Sequence, residues 1–167
     1  EQGKIEELEK VVENKNFGAQ LGIGHTRWAT HGEPNKINAH PHSACHGDLA
    51  LIHNGIIENY KALKIMLTKN GFEFESETDT EVIAKLIEYY IKKGNKFADS
   101  FRMALNKIEG AYGLAVIHKD HPNTLLAARE GSPLVVGLGQ GEFFVASDAA
   151  AIVRYTKEVI YLDDAEM

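Results

Sequence analysis

Residues 111–118, Ala-Tyr-Gly-Leu-Ala-Val-Ile-His, constrain this chain more than any other stretch. Their short period suits a strand. Yet both alternating sets, Tyr112, Leu114 and Val116 against Ala111, Gly113 and Ala115, are apolar or small. A strand without a polar face must be covered on both sides, which implies sheets sandwiched with helices.

The covering material lies on either side of it. Ile5, Leu8, Val11 and Val12 recur at helical spacing within residues 4–14. Tyr60, Leu63, Met66 and Leu67 form one face of a helix that starts near Asn59 and stops at Asn70-Gly71. Thr78-Asp79-Thr80-Glu81 has capping-box spacing, and Val82, Ile83, Leu86, Ile87 and Tyr90 continue that helix to Lys92-Lys93-Gly94. A further helix carries Phe97, Phe101, Leu105 and Ile108, and residues 124–129, 134–138, 143–147 and 159–162 read as short strands. Earlier in the chain, residues 21–28, 48–53 and 72–75 also read as strands, Asn54-Gly55 as a tight turn before extended Ile56-Ile57, and residues 32–47 as a loop. Helices lie mostly before strands, so the fold class is α+β.

With 167 residues, 44% of them hydrophobic, the chain suffices for one domain and is too short for two ordinary ones. A formal charge of −6 with both signs interspersed offers no stripe for a phosphate backbone, which argues against nucleic acid. No apolar run approaches the roughly 18 residues of a membrane span, and the first residues lack a signal-peptide pattern. A cytoplasmic protein without membrane association is expected. Glu1 is not an initiator methionine, as expected of a chain that begins inside a longer gene product or after processing. The single cysteine, Cys45, excludes an internal disulfide.

Chemistry concentrates in residues 25–34, His-Thr-Arg-Trp-Ala-Thr-His-Gly-Glu-Pro. Arg27 offers a planar fork of donors suited to a carboxylate or phosphate, and Trp28 a flat wall that excludes water. Together they suggest a site for a small anion. His25, His31, His40, His42, His46 and His53 with Cys45 raise the question of a metal, but no paired Cys-x-x-Cys or His-Glu-x-x-His is present. These histidines read as hydrogen-bonded structural residues, with no metal site expected. Cys45 reads as an incidental loop thiol, because no helix follows to stabilise a thiolate.

Two positions stay ambiguous on the residues alone. Asn54-Gly55 is either a tight turn or a pair that directs a side-chain amide and a backbone N–H at one point, as in an oxyanion hole. Asp79 is either a carboxylate placed to suit the helix dipole or a partner for an ammonium group. In the second case Arg27 and Asp79 would together read the two ends of an α-amino acid.

Several separated motifs occur in one order: Gly24-His25-Thr26-Arg27-Trp28-Ala29-Thr30-His31-Gly32, Asn38-Ala39-His40-Pro41, His53-Asn54-Gly55-Ile56-Ile57-Glu58-Asn59, Ser76-Glu77-Thr78-Asp79-Thr80-Glu81, Arg129-Glu130-Gly131-Ser132-Pro133-Leu134 and Ala146-Ser147-Asp148. In these the chain resembles the glutaminase domain of the glutamine–fructose-6-phosphate aminotransferase family over nearly its whole length. The resemblance implies a class II glutamine amidotransferase with the αββα sandwich of the amino-terminal-nucleophile hydrolases. It implies that Arg27 grips the α-carboxylate of glutamine with help from Thr30 and His31, and that Trp28 shields the reaction from water. Asp79 with Gly55 would take the α-amino group, Asn54 and the Gly55 N–H would form the oxyanion hole, and residues 27–35 would close over the substrate.

One departure matters. The family attacks glutamine with a cysteine at the mature amino terminus, in a Cys-Gly-Ile-Val-Gly type strand, and this sequence has no such segment. Residues 1–167 are therefore expected to be an incomplete glutaminase domain without its first strand or strands, inactive alone. The isomerase domain that would deliver ammonia to fructose 6-phosphate is likewise expected to be absent. No cofactor is implied, and a homo-oligomeric parent is. The alternative is a non-catalytic amino-acid-binding module.

Overall fold

The structure, a computed structural model, describes residues 5–27, 32–33 and 35–167. Helix α1 spans Ile5–Val12, strand β1 His42–Ala44, β2 Leu49–Ile57, α2 Tyr60–Lys69, α3 Asp79–Lys92 and α4 Phe97–Leu105. The strands β3 Gly110–His118, β4 Leu125–Glu130, β5 Val135–Leu138, β6 Phe143–Ala146 and β7 Val159–Tyr161 follow. All pairing between strands is antiparallel, in two sheets ordered β1-β2-β3-β4 and β6-β5-β7. The chain is thus α+β, and no helix among the described residues is long and apolar enough to cross a membrane.

Strand β3 lies in the interior of the larger sheet, and Tyr112 through Val116 are buried without interruption, as an apolar strand requires. The register places Leu51 opposite Val116 and His53 opposite Leu114, so one face of the sheet presents Leu49, Leu51, His53, Ile57, Leu114 and Val116. Against that face pack Leu67 of α2, Val82, Ile83, Leu86 and Ile87 of α3, and Phe101 of α4, all fully buried. Burial of each such side chain stabilises the fold by about 1.5–3 kcal/mol. The opposite face, with Ile52, Gly113 and Ala115, looks across a cavity toward Leu134, Val145 and Ala146 of the smaller sheet region. Helix α1 buries none of its residues.

Four local expectations are corrected. Asn54-Gly55 is no turn: β2 runs straight through it, with Asn54 opposite Gly113 and Gly55 opposite Tyr112. Gly55 serves a close approach instead, since its φ is +130° and a Cβ there would stand 2.0 Å from the Ala111 carbonyl oxygen. Residues 72–75 form no strand, because the Glu75 and Ser76 N–H groups donate to the Glu81 carboxylate at 3.0 and 2.7 Å rather than to a ladder. Residues 21–27 are extended but irregular. Gly22 and Gly24 have nothing within 4 Å of a Cβ position, and no described strand pairs with the segment. Conversely the 32–47 loop contains β1, which pairs with β2 from His42 to Leu51.

Candidate active site

A cavity of about 170 Å³ opens beside the middle of β2 and the first turn of α3, lined by His25, Thr26, Arg27, His40, His53, Asn54, Gly55, Thr78, Asp79 and Thr80. Of the residues singled out from sequence, Arg27, Asn54, Gly55 and Asp79 thus meet around one space. Trp28, Thr30 and His31 lie outside the described residues.

Asp79 is placed by the start of α3. Thr78 caps the helix, its hydroxyl accepting the Glu81 N–H at 3.3 Å. Glu81 completes an altered capping box: it reaches past Thr78 to the Ser76 N–H and hydroxyl, at 2.7 and 2.6 Å. The Asp79 carboxylate, only 3% exposed, accepts the Ile57 N–H at 2.8 Å and lies 4.0 Å from His53 Nδ1. That bond crosses from α3 to β2, so the two elements carrying Asp79 and Asn54 are fixed together. An acid at this position suits the helix dipole and lines the cavity at once.

Asn54 is oriented by a contact that sequence reasoning missed. His25 Nε2 lies 2.7 Å from Asn54 Oδ1; the amide oxygen must accept, so His25 carries its proton on Nε2. The Asn54 NH₂ is then the part of the amide available to a ligand. In agreement with that tautomer, His25 Nδ1 is buried and has no hydrogen-bond partner among the described residues. Arg27 directs Nη1 at the Glu33 carbonyl, 3.2 Å away, and Nη2 at the Gly32 carbonyl, 3.3 Å away.

Four histidines crowd this wall. His25 and His40 have ring centroids 4.2 Å apart, and His40 and His42 5.1 Å. His42 Nε2 shares a proton with the Thr78 hydroxyl at 3.0 Å, and His53 is held by Thr80 Oγ1 and the Ala111 carbonyl. Burial, then the proximity of His25, His42, His53 and Arg27, pushes the His40 pKa down to about 2. Burial also lowers that of His42, against the opposing pull of Glu81. His25, His42 and His53 are hydrogen-bonded to neighbouring groups, whereas the buried His40 Nδ1 has no hydrogen-bond partner among the described residues. No group of three or more side chains that could hold a metal ion occurs among the described residues.

Cys45 does not line the cavity. It is half-buried against the core, and burial together with Glu88 pushes its thiol up to about 11. At neutral pH that keeps the thiol protonated.

A buried carboxylate, an oriented carboxamide and a guanidinium thus line one small cavity, and comparison with known proteins gives the family of the chain. Across residues 12–167 the chain matches the glutamine amidotransferase domain, and it belongs to that family. It is 53% identical over 167 residues, 99% of its length, to the glutamine–fructose-6-phosphate aminotransferase (isomerizing) of Bacteroides thetaiotaomicron. It is 51% identical over 164 residues, 98% of its length, to the enzyme of that name from Pyrococcus horikoshii. The chain spans about 27% of the length of each. Among solved structures it resembles the glutamine phosphoribosylpyrophosphate amidotransferase of Bacillus subtilis, with a TM-score of 0.66 and 31% identity over 83% of this chain and 29% of that one.

Proposed function

We propose that this chain is the glutamine-hydrolysing portion of an enzyme that makes glucosamine 6-phosphate from fructose 6-phosphate, built on the layered sandwich of the amino-terminal-nucleophile hydrolases. The observation that carries the reading is the convergence of Arg27, Asn54, Gly55 and Asp79, far apart in sequence, on one cavity. In this reading Arg27 binds the α-carboxylate of glutamine, with Thr30 and His31 assisting and Trp28 excluding water. Asp79, with Gly55, receives the α-ammonium group, where a buried carboxylate is worth most.

The side-chain amide then extends toward Asn54. A thiolate adds to its carbonyl carbon, and the oxygen takes up negative charge against the Asn54 NH₂ and the Gly55 N–H. Collapse breaks the C–N bond as the proton first lost by the thiol passes to the leaving nitrogen, releasing ammonia and leaving a γ-glutamyl thioester that water cleaves to glutamate and free thiol. Cys45 is the only cysteine in these 167 residues and stands away from the cavity with a protonated thiol, so the nucleophile comes from outside them. Fructose 6-phosphate would be bound by a separate isomerase domain in an enzyme that assembles from several copies. No cofactor is required for any step.

The experiment is an ammonia-release assay on two proteins. The 167-residue chain should bind glutamine without releasing ammonia, and a version extended at its amino terminus by a cysteine-led strand should release it. Turnover by the unextended chain contradicts the assignment of the nucleophile. Binding without turnover in both leaves the amino-acid-binding module as the correct reading.

A further inference from the structure

Asn38 is 1% exposed although it sits in an irregular segment, and every polar atom of its amide is engaged. Its Nδ2 donates to the Glu33 carbonyl at 3.0 Å and to Glu77 Oε2 at 3.3 Å, and its Oδ1 accepts the Glu77 N–H at 3.0 Å. Its own N–H donates to Asn35 Oδ1 at 2.8 Å. The packing is tight: a Cβ on Gly32 would stand 2.5 Å from Asn38 Nδ2.

What this amide joins is informative. The Glu33 carbonyl that accepts from Asn38 also accepts from Arg27 Nη1, and Gly32 accepts from Nη2. Glu77, on the other side, immediately precedes Thr78, the cap of the helix whose first residue is Asp79. A single buried side chain thus links the backbone that braces Arg27 to the backbone that launches Asp79. An α-amino acid carries its carboxylate and ammonium on one carbon, so the groups that read them must be held at a fixed separation. Arg27 alone, on a long flexible stem, cannot set that separation.

We infer that Asn38 is a positioning residue for zwitterion recognition, fixing the Arg27 guanidinium relative to the Asp79 carboxylate. The inference rests on the reading of those two residues given above. It extends that reading by assigning the distance between them to a residue that touches neither the cavity nor a ligand.

The test is calorimetric titration of the 167-residue chain with L-glutamine, in wild type, Arg27→Ala, Asn38→Ala and the double variant, with thermal unfolding to confirm folding. Asn38→Asp, which keeps the volume and the acceptor but removes both donations, serves if the alanine variant does not fold. Asn38→Ala should weaken glutamine about tenfold in the wild-type background. With Arg27 already removed, it should change affinity by less than about twofold, because there is no guanidinium left to position. Unchanged affinity in Asn38→Ala or Asn38→Asp overturns the inference while leaving the site intact, as does an equal loss in both backgrounds. Wild type that fails to bind, or Arg27→Ala that binds like wild type, overturns the reading of the site and the inference with it.

Discussion

At the scale of single residues the site depends on which atom of each polar group is left over for a ligand. Asn54 would be an ambiguous amide on an exposed stretch of strand, but His25 takes its oxygen and so commits its NH₂. In a protein extended to carry the nucleophile, Asn54→Ala should lower glutaminase turnover by ~10²-fold with a smaller change in KM, because the oxyanion exists only during reaction. Steady-state kinetics in which turnover is normal would reduce Asn54 to a strand residue. His40 offers a different test. It is held neutral when folded, with a pKa near 2, whereas in the unfolded chain it protonates near 6.5. The folded state therefore binds fewer protons than the unfolded one between those values, and stability falls as pH drops below about 6.5. His42 adds to the same trend, whereas Glu88, whose pKa is lowered from 4.5, loses its contribution only at more acid pH. Urea melts from pH 7.5 to 5 should show this loss, and His40→Asn should flatten it. An unchanged slope would mean that His40 does not stay neutral.

At the scale of elements, the junction of β2, β3 and α3 holds the cavity-lining groups in place. The Asp79–Ile57 bond ties the helix start to the strand, and Gly55 lets β2 approach β3 where a side chain has no room. Gly55→Ala should cost on the order of 3 kcal/mol, combining an unfavourable backbone angle with a clash against the Ala111 carbonyl. Gly71→Ala is the control: its φ is +85° but nothing lies within 4 Å of the added carbon, so about 1 kcal/mol is expected. Equal costs in denaturant unfolding would show that backbone angle, and not the close approach, demands glycine at position 55. The same junction marks how far sequence reasoning reached. Helices with strong apolar periodicity and the doubly covered β3 were legible, because burial patterns repeat locally. Asn54-Gly55 looked like a turn because a dipeptide does not reveal that a neighbouring strand needs its glycine. Residues 72–75 looked like a strand because they alternate, and the sequence does not reveal that Glu81, several residues away, takes the N–H groups of Glu75 and Ser76.

At the scale of the whole molecule, a helical layer packs on the larger of two antiparallel sheets, and four segments distant in sequence, residues 25–27, 40, 53–55 and 78–80, line one cavity. The residues that line it were legible through their chemistry and through a family resemblance. The contacts that hold them, His25 to Asn54 and Asn38 to Glu77, were not, since long-range contacts leave no periodic trace. The central claim is that this cavity receives glutamine with its carboxylate at Arg27, its ammonium at Asp79 and its amide at Asn54-Gly55. The most direct measurement is a titration of the isotopically labelled 167-residue chain with L-glutamine, followed by amide NMR. Saturable shifts of the Gly55 N–H and the Asn54 side-chain NH₂, with the resonances around Cys45 unmoved, are the predicted result. Shifts confined to other parts of the molecule, or none at saturating glutamine, would contradict the account.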